Sequence, residues 1–268
     1  MKRRSPASRT DRRRRHSLLA AAIILLISGC ETSSSVVASD RYAPPPEVAN
    51  ATLVWSAEST ATLDDERGTL TRAAYEAHLV AMVAGVDRSY PGYRYAVERS
   101  LLNLYRENTA WRFPLFGTEF GHVLSTGDTA DGFVATVCLQ SSGIARLIDD
   151  GYFRTIGPGY RTQIEFTKVL SPEPMAVDGE SRSTTANRDN SDDVMATSLA
   201  PPGTWSAPLD DHFGGWRVSI GGVIDDQDGI CETWGRRVVP DAPVIPEEVT
   251  VDVPPETLPA FPGWPRGS

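Results

Sequence analysis

An α+β domain, with two N-terminal helices packed on an antiparallel sheet of about four strands, is the fold that this 268-residue sequence predicts. Two observations carry it. Between residues 70 and 105 apolar side chains recur every three or four positions, the spacing that keeps returning to one face of a helix. From residue 122 onward the pattern becomes an alternation, the period of a strand. Around this core the chain divides into an export segment (1–29), a tether (30–65), the domain itself (66–237, with an acidic loop at 171–211) and a proline-rich disordered tail (238–268).

The export segment comes first. Four arginines, Arg12 to Arg15, precede the apolar run LLAAAIILLISGC, which ends in Ile27-Ser28-Gly29-Cys30. A basic start, a short apolar middle and small residues before a cut site make a secretory signal. The run falls short of the ~20 apolar residues that a bilayer-spanning helix needs. In this stretch the chain resembles bacterial lipoproteins. In that family the thiol of the matching cysteine carries a diacylglycerol, and the chain is cut just before it. The resemblance implies that Gly29–Cys30 is the scissile bond, that Cys30 is the lipid anchor, and that the membrane is a partner through that lipid. The mature chain would then stand on the outer, extracytoplasmic face of the cell membrane. Ser17 lies two positions after Arg15, where a twin-arginine signal prefers a large apolar residue, so the general secretion route is favoured.

The whole chain carries a formal charge of −9. The first 29 residues hold eight basic side chains against Asp11, which leaves 18 basic and 34 acidic side chains, or −16, in the mature part. A surface of that sign repels nucleic acid, so no nucleic-acid partner is expected, and solubility is its plainest role. With Cys30 lipidated, Cys138 and Cys231 remain. Outside the cytoplasm an even remainder reads as a disulfide. A metal pair would need further ligands, and the mature chain offers only His78, His122 and His212, with no CxxC and no HExxH. Neither a metal site nor a cofactor is expected. The plain alternative for the cysteines is two buried thiols that never meet.

Residues 31–50 are rich in Ser, Pro and Ala and show no period, as befits a tether. ATLVWS, at 51–56, is either a short strand or a packed lead-in to the first helix. Tyr75, Leu79, Met82, Val83 and Val86 then form a helical stripe, with Thr69 or Thr71 as its cap and Gly85 at its end. Pro91 suits the first position of a second helix, whose stripe is Tyr93, Val97, Leu101, Leu104 and Tyr105, ending near Asn108. Such stripes are how a helix buries one face, and they read as core. Trp111, Phe113, Leu115, Phe116 and Phe120 form an aromatic cluster without a clear period.

Two strands, His122 to Ser125 and Phe133 to Ser141, flank the loop TGDTADG. In the second, Phe133, Ala135, Val137 and Leu139 share one face, while Cys138 and Gln140 lie on the other. Both faces are expected to be at least partly covered. Ile144 to Tyr152 is a crossing segment of undetermined type, and Arg161 to Leu170 is a strand with Ile164 and Phe166 inward. The polar, acidic stretch 171–211 is a long loop. Trp216, Val218 and Ile220 mark a last strand. After Arg237 a proline appears every few residues, which predicts an extended, mobile tail.

The order of helix, helix and then strands ending in GGWRVSI resembles the ketosteroid-isomerase-like, or nuclear-transport-factor-two-like, superfamily, and within it the small lipoproteins of high-GC Gram-positive bacteria. The stretches that carry the likeness are TRAAYEAHLVAMVAGV, ATVCLQSS and GGWRVSI followed by a cysteine, within residues 66 to 235. The resemblance implies a curved, cone-like sheet wrapped on the helices, with any site at the open mouth of the cone. This superfamily holds both enzymes and pure binding or scaffold domains, so fold alone leaves function open.

An isomerase-type site needs a carboxylate base with donors for an oxyanion. His78, His122, Tyr75, Tyr105 and Tyr160 are the available groups, and no spacing compels them together, so no catalytic residue is assigned. Asp226-Gln227-Asp228-Gly229 is like part of an EF-hand loop, but the first and twelfth positions would be Ile224 and Gly235, so it reads as a turn. Asp189, Asp192 and Asp193 read as a solvated face, and Gly157-Pro158-Gly159 as a turn. The expectation is an extracytoplasmic binding or scaffold domain held to the membrane. The alternatives are a lipid-anchored enzyme with a ketosteroid-isomerase-like pocket and a component of an envelope secretion or conjugation assembly. A protein partner is left open.

Overall fold

The computed structural model describes residues 42–107, 109, 112–169 and 205–265. The signal segment with Gly29, Cys30, the tether as far as residue 41 and residues 171–204 of the acidic loop lie outside the described residues.

The described chain builds an eight-stranded sheet and four helices. The strands are β1 (Asn50–Ala57), β2 (Leu115–Asp128), β3 (Gly132–Gln140), β4 (Ile144–Ile148), β5 (Gly151–Ile156), β6 (Tyr160–Lys168), β7 (Trp216–Ile220) and β8 (Glu247–Val251). The helices are α1 (Glu66–Ala84), α2 (Tyr93–Ala96), α3 (Arg99–Glu107) and α4 (Ile230–Val238). The expected cone of two helices on about four strands is therefore corrected. Strands come from three places where none was assigned: the tether, the crossing segment and the tail.

β3 and β4 run in series along one edge of β2, and β5 and β6 run in series beside them. Leu139 pairs with Tyr160 and Arg146 with Phe153, so one register runs through the whole hairpin and turns at Asp149-Asp150. Gly157-Pro158-Gly159 is thus an interruption within a long strand rather than a chain reversal. There side chains take over from the ladder. The Ser142 hydroxyl bonds both the N–H and the C=O of Gly157, and the Gln140 amide donates to Gly157 O. β7 and β8 lie along the outer edge of this hairpin, on β6 and β5 respectively.

β1 pairs with β2 in parallel, the one parallel pair of strands among the described residues, with Asn50 opposite Phe116 and Ala57 opposite Val123. A domain starting at residue 66 would have lost this strand. Leu53 and Trp55 face α1 and are buried. Gly121 makes room for the Trp55 ring, since a Cβ there would meet it at 2.4 Å.

α1 is buried on more than one side. Ala73, Ala74, Ala77, Val80 and Ala81 have no exposed surface, and Tyr75 and Val83 very little. Leu79 and Met82, expected on the buried stripe, only pack against its margin. A helix enclosed all round sits in the core, not on it. Its cap is Asp65, whose carboxylate accepts the Gly68 N–H at 2.7 Å, rather than Thr69 or Thr71. The expected second helix is split at Val97, whose backbone turns extended. Val97 bridges to Val218 and the Glu98 N–H donates to Val218 O, so the chain leaves the helix to cover the outer edge of β7.

The opposite face of the sheet holds α4, a helix the sequence reading lacked. Cys138 on β3 and Cys231 on α4 form the expected disulfide, with Cα atoms 5.1 Å apart and a sequence separation of 93. The helix sits directly on the strand interruption: a Cβ on Gly235 would meet Gly159 N at 2.6 Å. Asp226 accepts the first-turn N–H groups of Cys231 and Glu232 and pairs with Arg161, so the EF-hand-like stretch serves as a helix cap.

The proline-rich tail is corrected as far as residue 265. Between Pro246 and Pro254 lies the proline-free run EEVTVDV, and β8 forms within it. Farther on, Phe261 exchanges backbone hydrogen bonds with Leu53 and Trp55, closing the outer edge of β1. Trp264 is 6% exposed and donates its indole N–H to Glu76 at 2.5 Å. The end of the acidic loop is likewise docked, with Trp205 buried and its indole N–H on the Tyr90 hydroxyl at 2.8 Å.

A docked tail predicts a stability cost that a free one would not have. Trp264→Ala is expected to lower the unfolding free energy by about 3–5 kcal/mol, the usual cost of truncating a buried aromatic. Denaturant titration followed by circular dichroism measures it, and a loss under about 0.5 kcal/mol would mean the tail is not part of the fold.

Candidate functional site

The histidines and tyrosines singled out in the sequence fall into three hydrogen-bonded clusters, the first two in ring contact through Tyr75 and His78 at 6.1 Å. Tyr75 on α1 and Tyr160 on β6 converge on Glu119 of β2. The Tyr75 hydroxyl donates to Glu119 Oε1 at 2.6 Å and the Ser141 hydroxyl donates to the same oxygen at 2.7 Å, with Tyr160 3.3 Å from Ser141. Burial raises the Glu119 carboxyl above its ordinary range, and the two donors offset this only in part. Tyr160 is pushed up to about 12, by burial first and by Glu119 second.

A second cluster joins His78 to Tyr105. Nδ1 lies 2.7 Å from the Tyr105 hydroxyl, which in turn bonds Tyr93 at 2.8 Å. Burial lowers the His78 pKa to about 4, so the ring is neutral at physiological pH. These two clusters hold the groups an isomerase-type site would use, and the groups are bonded to one another inside the packed core.

The third cluster is at the far end of β1. His122 Nδ1 lies 2.8 Å from the exposed Ser56 hydroxyl, and Nε2 lies 3.3 Å from Glu58 Oε1. The ring is buried and stacked on Trp234 of α4 at 5.3 Å. Only His122 was visible as a candidate. Ser56 and Glu58 fell in a stretch of undetermined structure, and the parallel β1–β2 pairing that places Ser56 opposite His122 is a long-range contact. His212 stands apart, half-buried beside Trp264 at a ring distance of 5.2 Å.

An open groove of about 410 Å³ lies at another end of the sheet, a size within the ~300–1,000 Å³ range of small-ligand sites. Glu66 and Arg67 from the start of α1, Asp128 to Phe133 from the β2–β3 turn, Lys168 from β6 and Trp216 from β7 line it. Its floor is aromatic. Phe133 stacks on Phe166 at 4.5 Å and meets Trp216 edge to face at 5.5 Å. Cations sit over these rings, Arg67 at 5.2 Å from the Phe133 centroid and Lys168 Nζ at 5.5 Å from that of Trp216. Arg67 also pairs with Asp128. The groove thus offers an apolar base under groups of both charge signs, an arrangement able to bind and orient a polar ligand. The sequence pointed to none of this, because four segments far apart in the chain supply it.

Among the described residues no group of three His, Cys, Asp or Glu side chains is placed to hold a metal ion. Nor, among them, is any helix long and apolar enough to cross a membrane. Comparison with protein-family models, curated proteins and solved structures finds no match to this chain.

His78 makes stability depend on acid. Its folded pKa of about 4 lies below the ordinary 6.5, so between these values the unfolded chain binds the extra proton and stability falls as pH falls. Glu76 and Glu119, raised by burial, act in the opposite sense. Comparing His78→Gln with the parent isolates the histidine. The variant is expected to gain on the parent by up to about 3 kcal/mol between pH 7 and pH 4 in urea unfolding, and parallel pH profiles would contradict it.

Proposed function

We propose that this chain is a lipoprotein of the cell envelope whose domain, held at the outer face of the membrane through Cys30, binds a ligand or partner. The observation that carries the location is the disulfide. The two cysteines other than Cys30 are joined in the folded domain, and a structural disulfide persists where the compartment is oxidising. This agrees with the export segment and its terminal Ile27-Ser28-Gly29-Cys30. A diacylglycerol supplies the two acyl chains that stable anchoring takes.

Binding is favoured over catalysis at the groove because its aromatic floor and mixed charges lack a paired nucleophile and base. The Tyr75–Glu119–Tyr160 groups, which would serve a ketosteroid-isomerase-like site, bond to each other in the core. A second reading rests on Ser56, His122 and Glu58: with Nε2–H toward Glu58, Nδ1 is free to take the hydroxyl proton as Ser56 attacks. Covalent labelling by a fluorophosphonate probe that Ser56→Ala abolishes would support it, and an unlabelled protein would remove it.

Mass spectrometry of the mature N-terminus tests the anchoring. The expected species begins at a diacylglycerol-modified Cys30, and Cys30→Ser is expected to move the protein from the membrane fraction to the medium or to leave it unprocessed. A major species with residue 30 unmodified would overturn the proposal.

A further inference from the structure

The sheet has two outer edges, and the chain covers most of both. On β1 the cover is Phe261, which donates its N–H to Leu53 O at 3.1 Å and accepts the Trp55 N–H at 2.6 Å. On β7 it is Val97 and Glu98, with the Glu98 N–H on Val218 O at 3.0 Å. β8 is different. It pairs with β5 on one side, and among the described residues no strand or bridge pairs with its other side. An open row of N–H and C=O groups is a template for another strand.

Apolar side chains flank this edge. Ile245 is 77% and Val253 72% exposed, against a core in which most apolar side chains are under 9%. They stand at equal distances on either side of Val249, the middle residue of β8. Glu247 and Glu248 occupy one half of the strand, and Thr250 and Val251 the other.

We propose that β8 is a homodimer interface: two copies of this chain pair their β8 strands antiparallel about a two-fold axis through Val249, joining two sheets into one. In that register Val249 meets its own copy, Glu247 meets Val251 and Glu248 meets Thr250, so no like charges lie opposite. Ile245 and Val253 of the two copies are brought toward each other at both ends. An in-register parallel pairing would set Glu247 and Glu248 against themselves, which is destabilising. Edge glutamates are a usual guard against strand addition. Here their placement in one half of the strand guards against the parallel register and leaves the two-fold one open. An isologous contact of this kind closes at two copies and cannot run on into a fibre.

A five-residue strand per copy gives an interface below the ~1,200 Å² of a standard one, so the pairing is weak in solution. Tethering in a membrane would raise the effective concentration, but the interface itself does not depend on lipid.

Cysteine cross-linking of the full chain reads the register. Opposed residues in an antiparallel pair have Cα atoms about 4.5–5.5 Å apart, within disulfide reach. Two copies of residue 247 would be four residues out of register, roughly 13 Å apart. Under mild oxidation Val249→Cys is expected to give a disulfide-linked dimer on a non-reducing gel. Glu247→Cys alone is expected to stay at the level of the parent with its native cysteines, and the double variant Glu247→Cys/Val251→Cys to restore the dimer. Val249→Cys at background, equal cross-linking of Val249→Cys and Glu247→Cys, or a Val249→Cys adduct with another protein would overturn the proposal. Sedimentation velocity of the parent needs no substitution. Its mass is expected to rise with concentration, and a monomer at every concentration up to about 1 mM would overturn the proposal. So would monomer together with hydrogen-exchange protection of residues 247–251, the sign of a strand supplied by the chain itself.

Discussion

The carboxylate of Glu76, on the enclosed helix α1, is the point on which distant parts of the chain converge. Oε1 accepts the Trp55 indole N–H at 2.9 Å, and Oε2 accepts the Tyr90 hydroxyl at 2.7 Å and the Trp264 indole N–H at 2.5 Å. Trp205 then bonds the Tyr90 hydroxyl. One buried group thereby fixes the first strand, the turn after α1, the chain returning from the acidic loop and the C-terminal segment. A buried carboxyl without donors would be costly, so each donor is held in place by the penalty of its loss. Arg72, one turn earlier, lies over the Trp264 ring at 4.5 Å and donates to Pro262 O at 3.0 Å. Burial still raises the Glu76 pKa, the Arg72 charge and the three donors opposing it.

That convergence explains how a polar, proline-rich sequence closes a sheet. The C-terminal segment cannot form a helix, but it can lay backbone groups along β1 and place one large indole in the core. On the other face the disulfide does a similar task with covalent means. It holds α4 over β3, and Gly159 and Gly235 permit the close approach. The two faces are therefore secured differently: one by an apolar core around a hydrogen-bonded carboxylate, the other by a small cluster of Cys138, Cys231 and Trp234.

The same economy decides which polar groups are available for function. Glu119, Tyr75, His78 and Tyr105 satisfy one another inside, and their shifted pKa values follow from burial. Arg67, Asp128, Asp131 and Lys168 surround a groove open to solvent. Mutual hydrogen bonding marks the first set, and access to solvent marks the second.

The sequence by itself determined the elements whose pattern is local. The alternation in FVATVCLQ and WRVSI, the burial of Ile164 and Phe166, and the helix from Leu70 to Val83 all follow from the period at which side chains return to one face. The pairing of Cys138 with Cys231 followed from the cysteine count and the export segment expected ahead of the domain. Tertiary structure alone decided the rest. ATLVWS becomes a strand because β2 offers it an edge. The expected second helix stops at Val97 because β7 needs a backbone partner. EEVTVDV pairs with β5 although prolines surround it. The groove, the Glu76 junction and the Ser56–His122 contact each join residues far apart in sequence. Local periodicity records which face of an element is apolar. It does not record which other segment will satisfy the backbone and side-chain hydrogen bonds at that element's edges and ends.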